Sequence, residues 1–156
     1  MSLSSAFPRF AASGPVLLLA ACASLSSPPA GLVNGRLPPC SPGPHCVSSQ
    51  ATDPAHAVDP WQLRDPAQGW ARVIAVVAAQ PRTRIVAQDG HYLHAEVLSP
   101  SHLFTDDLEL LRAADGRVDV RSSSRVGYYD FGVNRKRVAA LRAALAQAGV
   151  IAGAGG

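Results

Sequence analysis

Hydrophobic and polar positions change their period along this chain. Trp70, Val73, Ile74 and Val77 recur at i, i+3, i+4 and i+7, one apolar stripe of a helix. Asp65-Pro66 supplies its start, an acidic N-cap before a proline at the first helical position, and Pro81 its stop. From Thr83 the period drops to two. Residues 83–88 predict a first strand, with Ile85 and Val86. Residues 91–98 predict a second, with Leu93, Ala95 and Val97 on one face and Tyr92, His94 and Glu96 on the other. Residues 107–112 turn Leu108 and Leu110 inward. Residues 118–123 turn Val118 and Val120 inward and Asp119 and Arg121 outward. Asp89-Gly90 reads as a type I′ hairpin and Asp115-Gly116 as a second hairpin, so the strands form an antiparallel meander.

The helical period returns at Asn134, read as an N-cap, with Val133 and Val138 placed as a hydrophobic staple. Val138, Leu141, Ala144, Leu145 and Ala148 share one face, and Gly149 ends it. The expectation is an α+β domain over residues 61–149, a four-stranded antiparallel sheet with both amphipathic helices packed on one face. Residues 150–156 read as a disordered tail.

The N-terminal pattern is different in kind. Arg9 is the only charge before Arg36, and residues 14–21 form a short apolar run around Val16-Leu17-Leu18-Leu19. The uncharged stretch from Phe10 to Ala21 is shorter than the ~20 residues of a spanning helix, so residues 1–21 read as a signal peptide. Leu19-Ala20-Ala21-Cys22 reads as a bacterial lipobox, with cleavage before Cys22 and a lipid on its thiol; ordinary secretion is the alternative. The expected location is the cell envelope, anchored to a membrane through Cys22 and facing the periplasm. Ala23-Ser24 after the cysteine favours the outer over the inner membrane. Residues 22–60, rich in Ser, Pro, Ala and Gly, carry too little apolar surface to offset chain entropy and read as a tether ordered only locally.

Charge and cysteines narrow the function classes. The formal net charge is +3, one unit of it from Arg9, too mild to imply nucleic acid. Cys40 and Cys46 lie within the tether as Cys40-Ser41-Pro42-Gly43-Pro44-His45-Cys46. In an oxidising envelope this spacing predicts a disulfide, with the two prolines and glycine bending the chain between the sulfurs. A metal site using His45, a redox pair and unpaired thiols are the alternatives.

At this point two blocks resemble a known family. Cys40-Ser41-Pro42-Gly43-Pro44-His45-Cys46-Val47-Ser48-Ser49 is similar to a Cys-Pro-x-Ser-Pro-Asn-Cys-Val-Ser-Ser signature. Ser122-Ser123-Ser124-Arg125-Val126-Gly127, then Asp130, then Gly132-Val133-Asn134-Arg135-Lys136-Arg137, is similar to a second one. Both resemble the DUF1499 family of uncharacterised proteins of bacterial envelopes and plastids, over residues 37–148. The chain departs from the pattern at Ser41 and His45. The resemblance implies the domain and no chemistry.

Three functions compete. Arg135-Lys136-Arg137 at the start of the last helix opposes the helix dipole, beside unpaired backbone N–H groups. With Arg125 and Asn134 it forms a candidate site for a phosphate, a carboxylate or an anionic lipid head group. The plainer reading pairs Arg125 or Arg135 with Asp130. A hydrolase-type enzyme would use the polar residues of the second strand, His94 and Glu96, although Ser122 to Ser124 lacks a nucleophile-elbow context. Tyr128, Tyr129 and Phe131 could anchor an envelope protein, or cap the core. The expectation is a lipid-anchored binding or scaffolding protein without an assigned catalysis, and with no cofactor or metal.

Overall fold

The computed structural model describes residues 27–153. The signal peptide, the lipobox and Cys22 fall outside them. The elements run β1 (Cys46–Ser48), β2 (Trp61–Gln62), α1 (Gly69–Ala78), β3 (Thr83–Gln88), β4 (Tyr92–Leu98), β5 (Thr105–Arg112), β6 (Arg117–Ser124) and α2 (Val133–Gln147). The sheet is antiparallel, in the order β1-β6-β5-β4-β3, and β2 also pairs with β6. The four predicted strands are therefore a contiguous part of a six-stranded sheet, which β1 and β2 extend beyond β6 while β3 forms the opposite edge.

Its inward face is the expected one. Leu93, Ala95, Val97, Leu108, Leu110, Val118 and Val120 are buried, and Trp70, Val73 and Val77 of α1 and Val138, Leu141 and Leu145 of α2 join them in one core. Both helices lie on this face. Helix α1 begins later than expected, at Gly69. Gln68 is its N-cap, with no side-chain cap bond; Asp65 instead closes the turn before the helix, its Oδ1 accepting from the Ala67 and Gln68 N–H groups. Helix α2 starts one residue before Asn134, which is a buried residue of its first turn and not the cap. The staple is not made either, because Val133 is exposed while Val138 is buried.

The turns differ from each other. Gly116 has φ +84°, and a Cβ there would lie 2.9 Å from Pro66 Cγ, so glycine is required twice over. Neither Asp89 nor Gly90 has the positive φ of a type I′ turn. The Asp89 carboxylate instead accepts the His91 and Tyr92 N–H groups, each at 2.8 Å, making an Asx-type turn.

The ends of the domain extend past the expected 61–149. Within the stretch read as a tether, β1 lies along β6, with Val47 opposite Ser122. Leu37, His45, Cys46 and Val47 are buried. Residues 27–31 cross the outer face of the sheet: Ser27 Oγ bonds Ser123 Oγ, Arg121 donates to the Pro28 carbonyl, and the Gly31 N–H donates to Glu109. The start of the expected tail is docked as well. Gly149, at φ +65°, closes α2, and the Val150 N–H returns to the Leu145 carbonyl. Val150 and Ile151 are then buried beside Leu63.

Candidate functional site

The two sequence blocks meet in one hydrogen-bonded knot. The disulfide Cys40–Cys46 is formed, with the Cα atoms 5.6 Å apart. It closes a loop that buries His45. His45 Nδ1 lies 3.1 Å from the Tyr128 carbonyl, which can only accept, so Nδ1 carries the proton. Nε2 then accepts from Ser41 Oγ at 2.9 Å. A Cβ on Gly43 would lie 2.5 Å from the ring, which explains the glycine in this loop. The His45 carbonyl accepts from Ser124 N and from Asn134 Nδ2.

Asn134 is the centre of the second block. Its Oδ1 accepts from Ser122 Oγ at 2.7 Å and from Arg137 at 2.6 Å. Its Nδ2 faces His45 O at 3.0 Å and Ser124 Oγ and Asp130 Oδ2 at 2.9 Å. Asp130 also takes the helix-end donors, Gly132 N at 2.7 Å and Asn134 N at 2.9 Å. A carboxylate of this chain therefore already sits where an anion would bind.

The basic residues are dispersed by the fold. Arg137 pairs with Asp106 at 2.5 Å. Arg125 lies on the outer face, bonded to Asp107 and Glu96. Arg135 reaches the carbonyls of Ala55 and Ala57. Lys136 is exposed on α2, with no ion pair among those described. The fold does not bring Arg125, Arg135, Lys136 and Arg137 together around one point.

One turn further along α2, a cleft of about 360 Å³ opens between the helix and residues 57–61. Arg135, Val138, Ala139 and Arg142 line it from the helix, at i, i+3, i+4 and i+7, and Val58 and Trp61 from the other side. Trp61 is fully buried and its indole Nε1 has no hydrogen-bond partner; Arg142 Nε is likewise buried and unpaired. The facing acid, Asp59, is exposed and 3.8 Å from Arg142. The helical spacing of Arg135 and Arg142 was visible in the sequence. Their conjunction with Trp61 was not, because it depends on β2 lying along β6.

The outer face of the sheet holds the remaining candidates. His94 and Glu96 share it as expected, with Asp107 and Glu109 of β5 and Arg121 of β6. His94 Nε2 is 2.7 Å from Asp107. Burial raises the Asp107 carboxyl, but His94 and Arg125 outweigh it and bring it down to about 2. The Arg125 and Arg84 guanidiniums hold Glu96 below the usual carboxylate range against a smaller opposing effect of burial. Glu96 is thus a clamped anion, unsuited to donate a proton. Arg121 and Glu109 pair at 2.5 Å, both fully buried beneath residues 27–31. Tyr92 Oη donates to the same Glu109 at 2.8 Å; burial and that carboxylate push its phenol up. Among the described residues no three His, Cys, Asp or Glu side chains gather around a metal position.

Tyr128, Tyr129 and Phe131 do not cap the core. All three are exposed, Phe131 at 77%, on the loop between β6 and α2.

A family model described as Protein of unknown function (DUF1499) matches residues 36–145. No curated protein and no solved structure matches the chain.

Proposed function

The chain belongs to the DUF1499 family of proteins of unknown function, and on that premise we propose a lipid-anchored envelope protein whose domain binds a small organic anion in the cleft beside α2. The anchor is Cys22, at the end of Leu19-Ala20-Ala21-Cys22. The observation that carries the ligand reading is that two residues lining that cleft, Trp61 and Arg142, each hold a buried donor without a partner, Trp61 Nε1 and Arg142 Nε. An unmet buried donor costs about 1–3 kcal/mol, which an acceptor oxygen would relieve. Two guanidiniums supply the opposite charge, and Val58, Val138 and Ala139 supply a wall for a short apolar chain. The volume suits a small ligand carrying one carboxylate or phosphate.

Calorimetric titration of the full chain with hexanoate and with inorganic phosphate tests this. Hexanoate is expected to bind the more tightly, because only it uses the apolar wall. Trp61→Phe keeps the ring and removes the N–H; Arg142→Gln removes the charge. Each is expected to weaken binding about tenfold, the loss of one charge-assisted hydrogen bond. Failure of both anions to bind, or an affinity in both variants unchanged from that of the native chain, would overturn the ligand reading and leave a scaffold for envelope proteins. The competing hydrolase reading draws on the His94–Asp107 pair. It requires a measurable hydrolysis by the full chain that His94→Ala abolishes.

A further inference from the structure

Exposed large apolar side chains are concentrated at one end of this sheet. Leu98 ends β4, and opposite it β5 begins at Thr105; the Arg125 N–H returns to the Thr105 carbonyl where β6 ends. The loops 99–104 and 125–132 therefore leave the sheet side by side. They carry Leu103, Phe104, Val126, Tyr128, Tyr129 and Phe131, all more than half exposed. A contiguous apolar surface facing water marks an interaction site, and aromatic rings with a polar edge suit a boundary between water and hydrocarbon.

The backbone holds these rings out. Phe131 has φ +56°, a left-handed conformation that is an outlier for a bulky residue, and Gly132 follows at φ +74°. The Phe131 ring meets Tyr129 edge-on, with centroids 5.0 Å apart, and buries nothing in the core. Strain that presents an aromatic ring to solvent belongs to function more than to folding. The acids at this end of the strands, Glu96, Asp106 and Asp107, are each paired with an arginine, and among the described residues Arg82 and Lys136 have no ion pair. Arg82 lies at the start of β3 beside Leu98, and Lys136 is on the first turn of α2. The acid of the aromatic loop, Asp130, is turned inward to cap the helix. Loop 99–104 has no acidic residue.

The path of the chain identifies what covers this surface. Ser27 is bonded to Ser123, one residue from the end of β6 that leads into the aromatic loop. Cys22 is five residues earlier, so it lies within about 17 Å of Ser27 even with the chain fully extended. We infer that this end of the sheet seats in the headgroup layer of an anionic bilayer, with the aromatic loops inserted and the sheet standing away from the membrane. The inference rests on the anchoring of Cys22 proposed above. A lipid supplies affinity; a second, protein-borne contact fixes orientation.

The test uses the full chain purified from the membrane fraction, with mass spectrometry reporting the acyl group on Cys22. Two variants are compared in vesicles of phosphatidylethanolamine and phosphatidylglycerol containing brominated lipid: Phe131→Trp at this end, and Ala114→Trp at the other end of the sheet. Both positions are exposed, and the native Trp61 and Trp70 are buried in both. Quenching at position 131 is expected to exceed that at 114 by at least about twofold, and to weaken when phosphatidylglycerol is replaced by a neutral lipid. Equal, weak quenching at both positions of an acylated chain would overturn the seating and leave the anchor standing, with a protein partner then indicated for the loops. A chain without acyl on Cys22 would overturn the anchoring reading. Added to the same vesicles, that chain still decides the seating, since equal signals at 131 and 114 refute it.

Discussion

Asp107 lies where the charges of three strands meet, accepting from His94 of β4 and from Arg125 just beyond β6. Its carboxyl is held at about 2, below the ~3.9 of an unfolded chain. A folded value below the unfolded one stabilises the protein above the unfolded value. That contribution is complete by about pH 5 and disappears as pH falls towards 2. The difference corresponds to about 2–3 kcal/mol. Asp107→Asn is therefore expected to lower stability by about that amount at neutral pH, and the gap to the native chain should narrow below about pH 4 and close near about pH 2. Urea unfolding across that range measures it; a gap independent of pH would assign the loss to packing.

At the scale of elements, the longer pieces were legible in the sequence and the short ones were not. Strands β3 to β6 and both helices each repeat their period often enough to be read. Strand β1 has three residues and β2 two, too few for a period of two to declare itself. They are strands because the edge of β6 offers unpaired backbone groups and a covalent bridge holds β1 in reach. Composition misled here, since Ser, Pro and Gly around Cys46 describe a loop that is pinned. Replacing Cys40 and Cys46 together by Ser is expected to cost about 2 kcal/mol, the loop-closure value for so short a ring. It should also speed amide exchange across Cys46–Ser48 selectively, as β1 frays from β6. Unchanged exchange there would mean that the His45 and Asn134 bonds hold the strand without the bridge. Those bonds account for most of the second block as well: its Asn, Asp and Ser residues fasten α2 to the sheet.

At the scale of the whole molecule, residues 27–31 cover one part of the charged outer face, the Glu109–Arg121 pair, and leave Arg125 and Glu96 in reach of solvent. The outward alternation of Glu109 and Arg121 was legible; their burial was not, because the cover, Ser27-Pro28-Pro29-Ala30-Gly31, has no large apolar side chain and no period. An ion pair so enclosed costs several kcal/mol to desolvate, and breaking one partner is worse than removing both. Glu109→Gln is expected to destabilise by about 3–5 kcal/mol, whereas Glu109→Leu combined with Arg121→Met costs much less. Chemical denaturation of the two variants decides. If Glu109→Gln were nearly neutral, water would have to reach Arg121 beneath the strap. The candidate cleft was half legible: Arg135 stood out by charge, while Trp61 and Arg142 required knowledge of which segment lies against α2.

The bridge between Leu63 and Ile151 has a practical consequence. Ala152 donates to the carbonyl of Gln62, which pairs with Arg117 at the start of β6, while Ser27 bonds Ser123 near its other end. With Ser123 six residues along β6 from Arg117, the described N- and C-terminal stretches leave from opposite poles, about 20 Å apart along the strand. A fluorescent or affinity tag spliced on after Ala152 would stand clear of the aromatic loops, whereas the same tag placed ahead of Ser27 would crowd them.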